Sequence, residues 1–178
     1  MDNTINKLDF TQKLMQAFQE SSETKRYSKG QFLTVEGKVE RRLFYIVDGA
    51  VKIYYLSESG EKIIRLGYNG SILNSLSSFF NQQPSELYIE SIRATKVKIL
   101  SRDAVLEIVK NSEGYANFLE RVLVQQLDRE IDLLLDSPIQ RLERVLERSP
   151  NLFQHVPLKY IASYLRMSPE TLSRIRNS

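Results

Sequence analysis

Leu43-Phe-Tyr-Ile-Val-Asp-Gly-Ala-Val-Lys-Ile-Tyr54 is the most informative stretch of this chain for its fold. Two runs rich in β-branched and aromatic residues, Leu43–Val47 and Val51–Leu56, flank Asp48-Gly49. Asp-Gly between such runs is a strong β-hairpin signal, because the turn that suits twisted strands needs positive φ. The pattern repeats outward. Gln31–Val35 and Lys62–Leu66 are similar short runs, and Lys29-Gly30, Glu36-Gly37 and Ser59-Gly60 punctuate them. Six of the seven glycines fall between Gly30 and Gly70. A further strand pair is expected around Asn81–Ser85, ending in Leu87–Ile92 and Lys96–Leu100. About eight short strands at this spacing predict an antiparallel jelly roll.

The flanks are helical. Residues 4–22 place Ile5, Leu8, Leu14, Met15 and Phe18 near helical spacing, without Gly or Pro. Ser101 can cap a helix from Arg102, and Ser112 or Gly114 ends it. A long helix then runs to about Asp136, where Ser137-Pro138 stops it. At ~23 residues it spans roughly 35 Å, too long for a small domain to cover. Leu119, Val122, Gln126, Arg129 and Leu133 step by three or four, as a coiled-coil seam does. That seam predicts a homodimer; the same face could also pack on the jelly roll. Both arrangements can hold together.

Three shorter helical patterns follow: Ile139–Arg148, Leu158–Leu165 and Pro169–Arg176. The last two, joined by Arg166-Met-Ser168, have the proportions of a helix-turn-helix. Ala162 suits the close crossing, and Ile161, Leu165, Met167, Leu172 and Ile175 can form the shared core. Ser168 is a good N-cap and Pro169 fits the first helical position. Glu170, Thr171, Ser173, Arg174 and Arg176 are then left to face outward. Arginine offers two donors to guanine and glutamate accepts from cytosine, so this set suits a major groove. A plain surface helical hairpin with incidental charges would read the same way.

Composition narrows the chemistry. The chain has 178 residues, 42% hydrophobic and 26% charged, as in ordinary globular proteins. The longest apolar run, Leu43–Val47, is far short of the roughly 20 residues a membrane helix needs. Met1-Asp2-Asn3-Thr4 lacks the basic start of a secretion signal, so a cytoplasmic protein with no membrane partner is expected. There is no cysteine and a single histidine, His155. Disulfides, thiolate nucleophiles, cysteine-held metals and multi-histidine sites are excluded within one chain. A cupin-like enzyme would need barrel histidines, so no catalytic or metal-ligating residue and no cofactor is expected. Net charge is +3, unevenly spread. Residues 137–178 hold seven basic side chains against three glutamates, which leaves the first 136 residues at −1. A basic tail on a near-neutral body hints at nucleic acid.

Taken together, these motifs resemble the Crp/Fnr family of bacterial transcription regulators. The likeness rests on Lys29-Gly-Gln-Phe-Leu33, Glu36-Gly37, Leu43–Tyr54, Gly60, the long helix and Ser168-Pro-Glu-Thr-Leu-Ser-Arg174. The resemblance implies an α+β chain. Residues 1–112 would form a cyclic-nucleotide-binding-like barrel, 113–136 a dimerisation helix and 137–178 a helix-turn-helix DNA-binding domain. It implies that Glu170, Ser173 and Arg174 read base edges of a half-site with a TTGA-like core. Ser168, Thr171, Arg166 and Arg176 would hold phosphates. The implied partners are a palindromic operator, a second copy, RNA polymerase and an unidentified small-molecule effector.

The chain departs from that family in several places. Cyclic-nucleotide binders carry Gly-Glu for the ribose and Arg-Ser or Arg-Thr for the cyclic phosphate. Here those pairs read Asn74-Ser75 and Ser85-Glu86, so the phosphate's cation is missing. Cyclic AMP is therefore not the expected effector, since a desolvated phosphate without a cation costs several kcal/mol. Gln125 and Gln126 fall where the family's helix touches a ligand base; they could serve another polar ligand or tie two helices together. An iron–sulfur sensor lacks its cysteines, and haem would need His155, a residue expected to be an ordinary surface or linker histidine. Arg166 replaces a glycine in a turn that needs a left-handed backbone, at roughly 1 kcal/mol. The sequence stops at Ser178 without the family's β-hairpin wing, which predicts weaker phosphate anchoring. A contrasting expectation is a ligand-binding sensor whose short helix-turn-helix no longer binds DNA.

Overall fold

The computed structural model describes residues 9–177. Ile5 and Leu8 of the expected first helix lie outside them. That helix, α1, spans Phe10–Glu20 and starts at a reciprocal cap. The Asp9 carboxylate accepts from the Gln12 N–H at 2.8 Å, and Gln12 accepts from the Asp9 N–H at 2.9 Å. Phe10, Leu14 and Phe18 are its buried face.

Eight strands follow: β1 (Thr24–Tyr27), β2 (Phe32–Thr34), β3 (Arg42–Asp48), β4 (Ala50–Ser57), β5 (Gly60–Tyr68), β6 (Ile72–Leu73), β7 (Tyr88–Ser91) and β8 (Thr95–Ser101). They form two four-stranded antiparallel sheets, ordered β1-β8-β3-β6 and β2-β7-β4-β5. Phe44, Ile46, Val51, Ile53, Ile89 and Val97 fill the space between them and are almost fully buried. Their alternation along each strand sends one side chain in and the next out. The expected antiparallel barrel is present.

Its pairing differs from the sequence expectation at two corners. Asp48-Gly49 is not a hairpin turn, because β3 and β4 lie in opposite sheets. The chain crosses between sheets there. Gly49 has φ +106° and its N–H donates to Asn69 Oδ1 at 2.9 Å. An added Cβ would lie 2.5 Å from the Ala94 carbonyl oxygen and the Thr95 Cα. Glycine is thus required by backbone approach as well as by φ. The adjacent hairpin joins β4 to β5, with Ser57 paired to Gly60. Likewise, β7 and β8 are not partners. β7 pairs with β2 and β4, whereas β8 pairs with β1 and β3. Alternating short runs look alike whether the chain turns back or changes sheet.

Between β6 and β7 lies α2 (Leu76–Asn81), a helix the sequence pattern did not reveal. It is fixed from the barrel side: the Glu40 N–H donates to Ser78 Oγ at 2.9 Å. Glu40 itself is 2% exposed and paired with Arg42 at 2.8 Å. It also accepts from the N–H groups of Arg41 and Arg42 and from Thr34, so the buried carboxylate is well satisfied.

Helices complete the chain: α3 (Arg102–Lys110), α4 (Tyr115–Leu134), α5 (Pro138–Arg148), α6 (Leu152–His155), α7 (Leu158–Tyr164) and α8 (Pro169–Arg176). Ser101 caps α3 by accepting from the Ala104 N–H at 3.2 Å, as expected. Phe10 of α1 packs edge-on to Tyr115 and against Phe118, anchoring the start of α4. The last four helices share one apolar cluster built on Leu142, Val145, Leu152, Ile161, Leu165 and Leu172. That cluster includes Ala50 and Ile92 of the barrel, so the helical head seats directly on the β-sheet. The Tyr68 and His155 rings stack there, 5.0 Å apart.

Candidate functional site

The helix α8 starts as its sequence predicts. Ser168 Oγ accepts from the Thr171 N–H at 3.1 Å, and Pro169 occupies the first turn. Leu172 is fully buried and pins the inner face; the small Ala162 side chain of α7 leaves room for it. Helical geometry then turns Glu170, Ser173 and Arg174 to solvent, where they line an open concavity with Pro169 and Asn177. The Glu170 carboxyl is held below its usual range, first by its own backbone N–H and then by the Ser168 hydroxyl. It is an ionised acceptor at neutral pH.

The other sequence-nominated residues are placed less uniformly. Thr171 is half-buried, with its hydroxyl 3.2 Å from that of Ser168. Arg176 is exposed and sits over the Phe153 ring at 5.4 Å. Arg166 adopts the left-handed backbone expected of the turn, with φ +56°. Its side chain borders a cavity separate from the concavity at α8's exposed face.

Three of the basic residues counted toward the positive tail are used inside the molecule. Asp132, fully buried near the end of α4, accepts from Arg144 at 2.9 Å and pairs with Arg148. Arg144 also pairs with Asp128 at 3.3 Å. Arg141 donates to the Leu135 carbonyl in the α4–α5 connection. These contacts fix the angle between α4 and α5. Spacing alone could have suggested them only if the α4–α5 bend had been known.

Along α4 the structure separates two faces. Gln126, Arg129 and Leu133 line the cavity toward the chain's own barrel, and Leu119 and Val122 are half-buried. The opposite side leaves Leu123, Val124, Leu127, Ile131 and Leu134 exposed, from 47% to 80%. They too recur at three- and four-residue steps, the spacing of a helix-pairing stripe.

The cavity, about 300 Å³, lies between β5, α2, α4 and the α7–α8 turn. Ile53, Ile64, Leu76, Leu87 and Leu133 form apolar walls. Asn74, Gln126, Arg65, Arg129 and Arg166 contribute polar ones, with Ser77 and Glu130 beside them. Of the residues nominated from sequence for an effector pocket, Asn74 and Gln126 therefore meet here. Ser75 and Ser85 are buried together, their hydroxyls 2.9 Å apart, and do not line the cavity. Glu86 and Gln125 are exposed and lie outside it. Arg65 was not among the sequence candidates, and Arg129 was nominated only for the dimer seam. Among the described residues, neither guanidinium forms an ion pair. Burial pulls both pKa values below the ordinary arginine value.

A two-sheet antiparallel β-roll followed by a long helix and a packed helical head is the architecture of this chain. The cyclic nucleotide-binding domain model matches residues 24–112, and the chain belongs to that family. Solved structures share the architecture beyond that segment. FixK2 from Bradyrhizobium japonicum is 21% identical, with TM-score 0.69 over 87% of this chain and 82% of its own. A CooA variant from Carboxydothermus hydrogenoformans is 17% identical, with TM-score 0.66 over 96% and 83%. A CRP-family transcriptional regulator from Thermus thermophilus is 17% identical, with TM-score 0.61 over 86% and 82%. These likenesses show a common fold. Of the curated proteins compared with the chain, none matches it. Among the described residues, no helix is long and apolar enough to cross a membrane.

Proposed function

We propose that the chain is a homodimeric, sequence-specific DNA-binding transcription regulator. In this reading residues 1–112 are the effector barrel, 113–136 the dimerisation helix and 137–178 the DNA-reading head. One observation carries it: α8 is pinned by Leu172 and presents Glu170, Ser173 and Arg174, unburied, on its opposite face. Glu170 and Arg174 supply an acceptor and a paired donor for base edges. Ser168, Thr171, Arg166 and Arg176 supply the phosphate contacts that set register. The fold shared with a CRP-family regulator supports the same reading.

The exposed stripe from Leu123 to Leu134 is the surface that a second copy would cover. Two copies would place two α8 helices on a palindrome with half-sites about 34 Å apart.

Operator selection from random palindromes, followed by titration of Arg174→Ala, tests the proposal. The variant is expected to lose roughly tenfold to a hundredfold in discrimination at one base pair, since a bidentate contact is worth ~1–3 kcal/mol. Equal weakening on all sequences would make Arg174 a phosphate ligand. No retardation of any sequence at low salt would end the DNA-binding reading.

The proposed regulator does not respond to cyclic AMP. Ser85 is bonded to Ser75, Glu86 is exposed, and neither position supplies the cation that the cyclic phosphate would need. Cyclic AMP at millimolar concentration is expected to leave the melting temperature unchanged. A rise of several degrees would contradict this.

A further inference from the structure

The bend between α4 and α5 is held by charges. Asp132 lies two residues before the end of α4, and its carboxylate is fully buried. Both oxygens are taken. Oδ1 accepts from Arg144 Nε at 2.9 Å, and Oδ2 pairs with Arg148. Asp128, one turn earlier, takes the other end of the Arg144 guanidinium at 3.3 Å. Each pair is spaced i, i+4, so one face of α4 presents two carboxylates to one face of α5 carrying two guanidiniums. Arg141, also on α5, donates to the Leu135 and Asp136 carbonyls at the bend itself.

Buried apolar packing does not join these two helices. Asp132 is the one buried residue of α4. Leu142 and Val145 of α5 turn instead into the head's own cluster, which has no member from α4 among the described residues. Arg129 adds a further polar tie, donating to the Tyr164 carbonyl and stacking on its ring at 3.7 Å. The head's seat on the barrel is apolar at Ala50 and Ile92, and apolar contact is non-directional. A buried carboxylate holding two guanidiniums fixes a direction, since leaving any member unpaired is costly.

We propose that Asp132, through Arg144 and Arg148, is a positioning residue that sets the half-site spacing this protein reads. The inference rests on the DNA-binding reading. Leu142, Val145 and Leu172 share one cluster, so the tilt of α5 carries to α8. In a dimer paired along α4, that tilt sets the separation of the two α8 helices. Moving each by roughly 2 Å changes the separation by about one base-pair step of ~3.4 Å. Glu170 and Arg174 choose the half-site; Asp132 chooses how far apart two half-sites lie.

The test has one arm without DNA and one with it. The chain has no cysteine, so Glu120→Cys on α4 and Asn177→Cys beyond α8, both exposed positions, take spin labels cleanly. Labelled chain is diluted into excess unlabelled chain, and pulsed electron resonance reads the distance within one copy. A single narrow distribution is expected, and Asp132→Asn should broaden or shift it by roughly 2 Å or more, half a base-pair step or above. Arg148→Gln should act in the same sense and less strongly, because Arg144 still holds Asp132. Its side chain is one-third exposed, so this variant decides the matter should Asp132→Asn fail to fold.

In the second arm, operators differ only in spacer length, one base pair at a time. The unsubstituted protein is expected to lose roughly tenfold per base pair away from its best spacing, and the variants less than about threefold, or to move the optimum, since misfit must be absorbed by deforming DNA. A merely destabilised protein would weaken on all spacings alike. Half-site sequence preference should not change. Unaltered distances in the variants overturn the proposal, and so do altered distances with an unaltered spacing profile. Retardation of no sequence by the unsubstituted protein would refute the DNA-binding reading and, with it, the role in spacing. Unaltered distances beside intact operator binding would refute the role of Asp132 alone.

Discussion

Leu127→Asp combined with Ile131→Asp is expected to leave the chain as a monomer of 20.7 kDa, where the proposed dimer of the unsubstituted protein would sediment at twice that mass. Both side chains lie in the exposed stripe, at 57% and 47% exposure. Neither belongs to the buried clusters, so the fold should survive. Burying a leucine or isoleucine in a helix pair contributes about 1.5–3 kcal/mol per side chain. The two substitutions act twice in a symmetric dimer, which puts the loss near ~6–12 kcal/mol before charge repulsion is added. Losses of that size move a micromolar or tighter dimer well beyond working concentration. Analytical ultracentrifugation reads the mass, and the same sample should lose palindrome binding. A variant that remains dimeric would place the partner on another face. Leu119→Asp is the informative companion, since it lies on the half-buried side of α4 and should perturb the fold more than the assembly.

Gly49→Ala is expected to destabilise the barrel by about 3–5 kcal/mol, combining a strained positive φ with overpacking. The Cβ would meet backbone atoms at 2.5 Å, and backbone cannot swing aside as a long side chain can. Against a total stability of about 5–15 kcal/mol, that is a large share. A melting temperature lower by roughly 10 °C is the expected reading. An unchanged value would show that the β3–β4 crossing does not run against Ala94-Thr95. Gly60→Ala is the control: it also has positive φ, +97°, but nothing lies within 4 Å of its added Cβ. It should lose only the smaller, conformational part.

The contrast between these glycines explains which features were readable from residue order. α8 is one extreme. Ser168, Pro169 and the Leu172–Ile175 spacing specify its start, its first turn and its buried face, and the observed helix has the expected limits. Strand positions β2 to β5 were legible for the same reason: alternation and turn residues act within a few positions. So was the left-handed turn at Arg166, carried over from the family pattern. Asp48-Gly49 marks the limit of such signals. Local chemistry demanded a reversal with positive φ, and it was silent on whether β4 would pair with β3 or cross to the other sheet.

Partnership at longer range was decided by folding. α4 carries apolar residues on more than one side, so periodicity offered two seams. The barrel half-covers the one with Gln126 and Arg129, leaving Leu133 exposed at the cavity's rim, and leaves the one with Leu127 and Ile131 open. Arg65 and Arg129 bear no sequence relation to each other, yet β5 and α4 bring both to one cavity. The tail's positive charge looked uniformly available until Asp132 and Asp128 claimed Arg144 and Arg148. Caps, backbone dihedrals and periodicity are short-range forces written in neighbouring residues. Sheet partners, the covered face of a helix and the fate of a charge depend on which distant surfaces meet when apolar area leaves water.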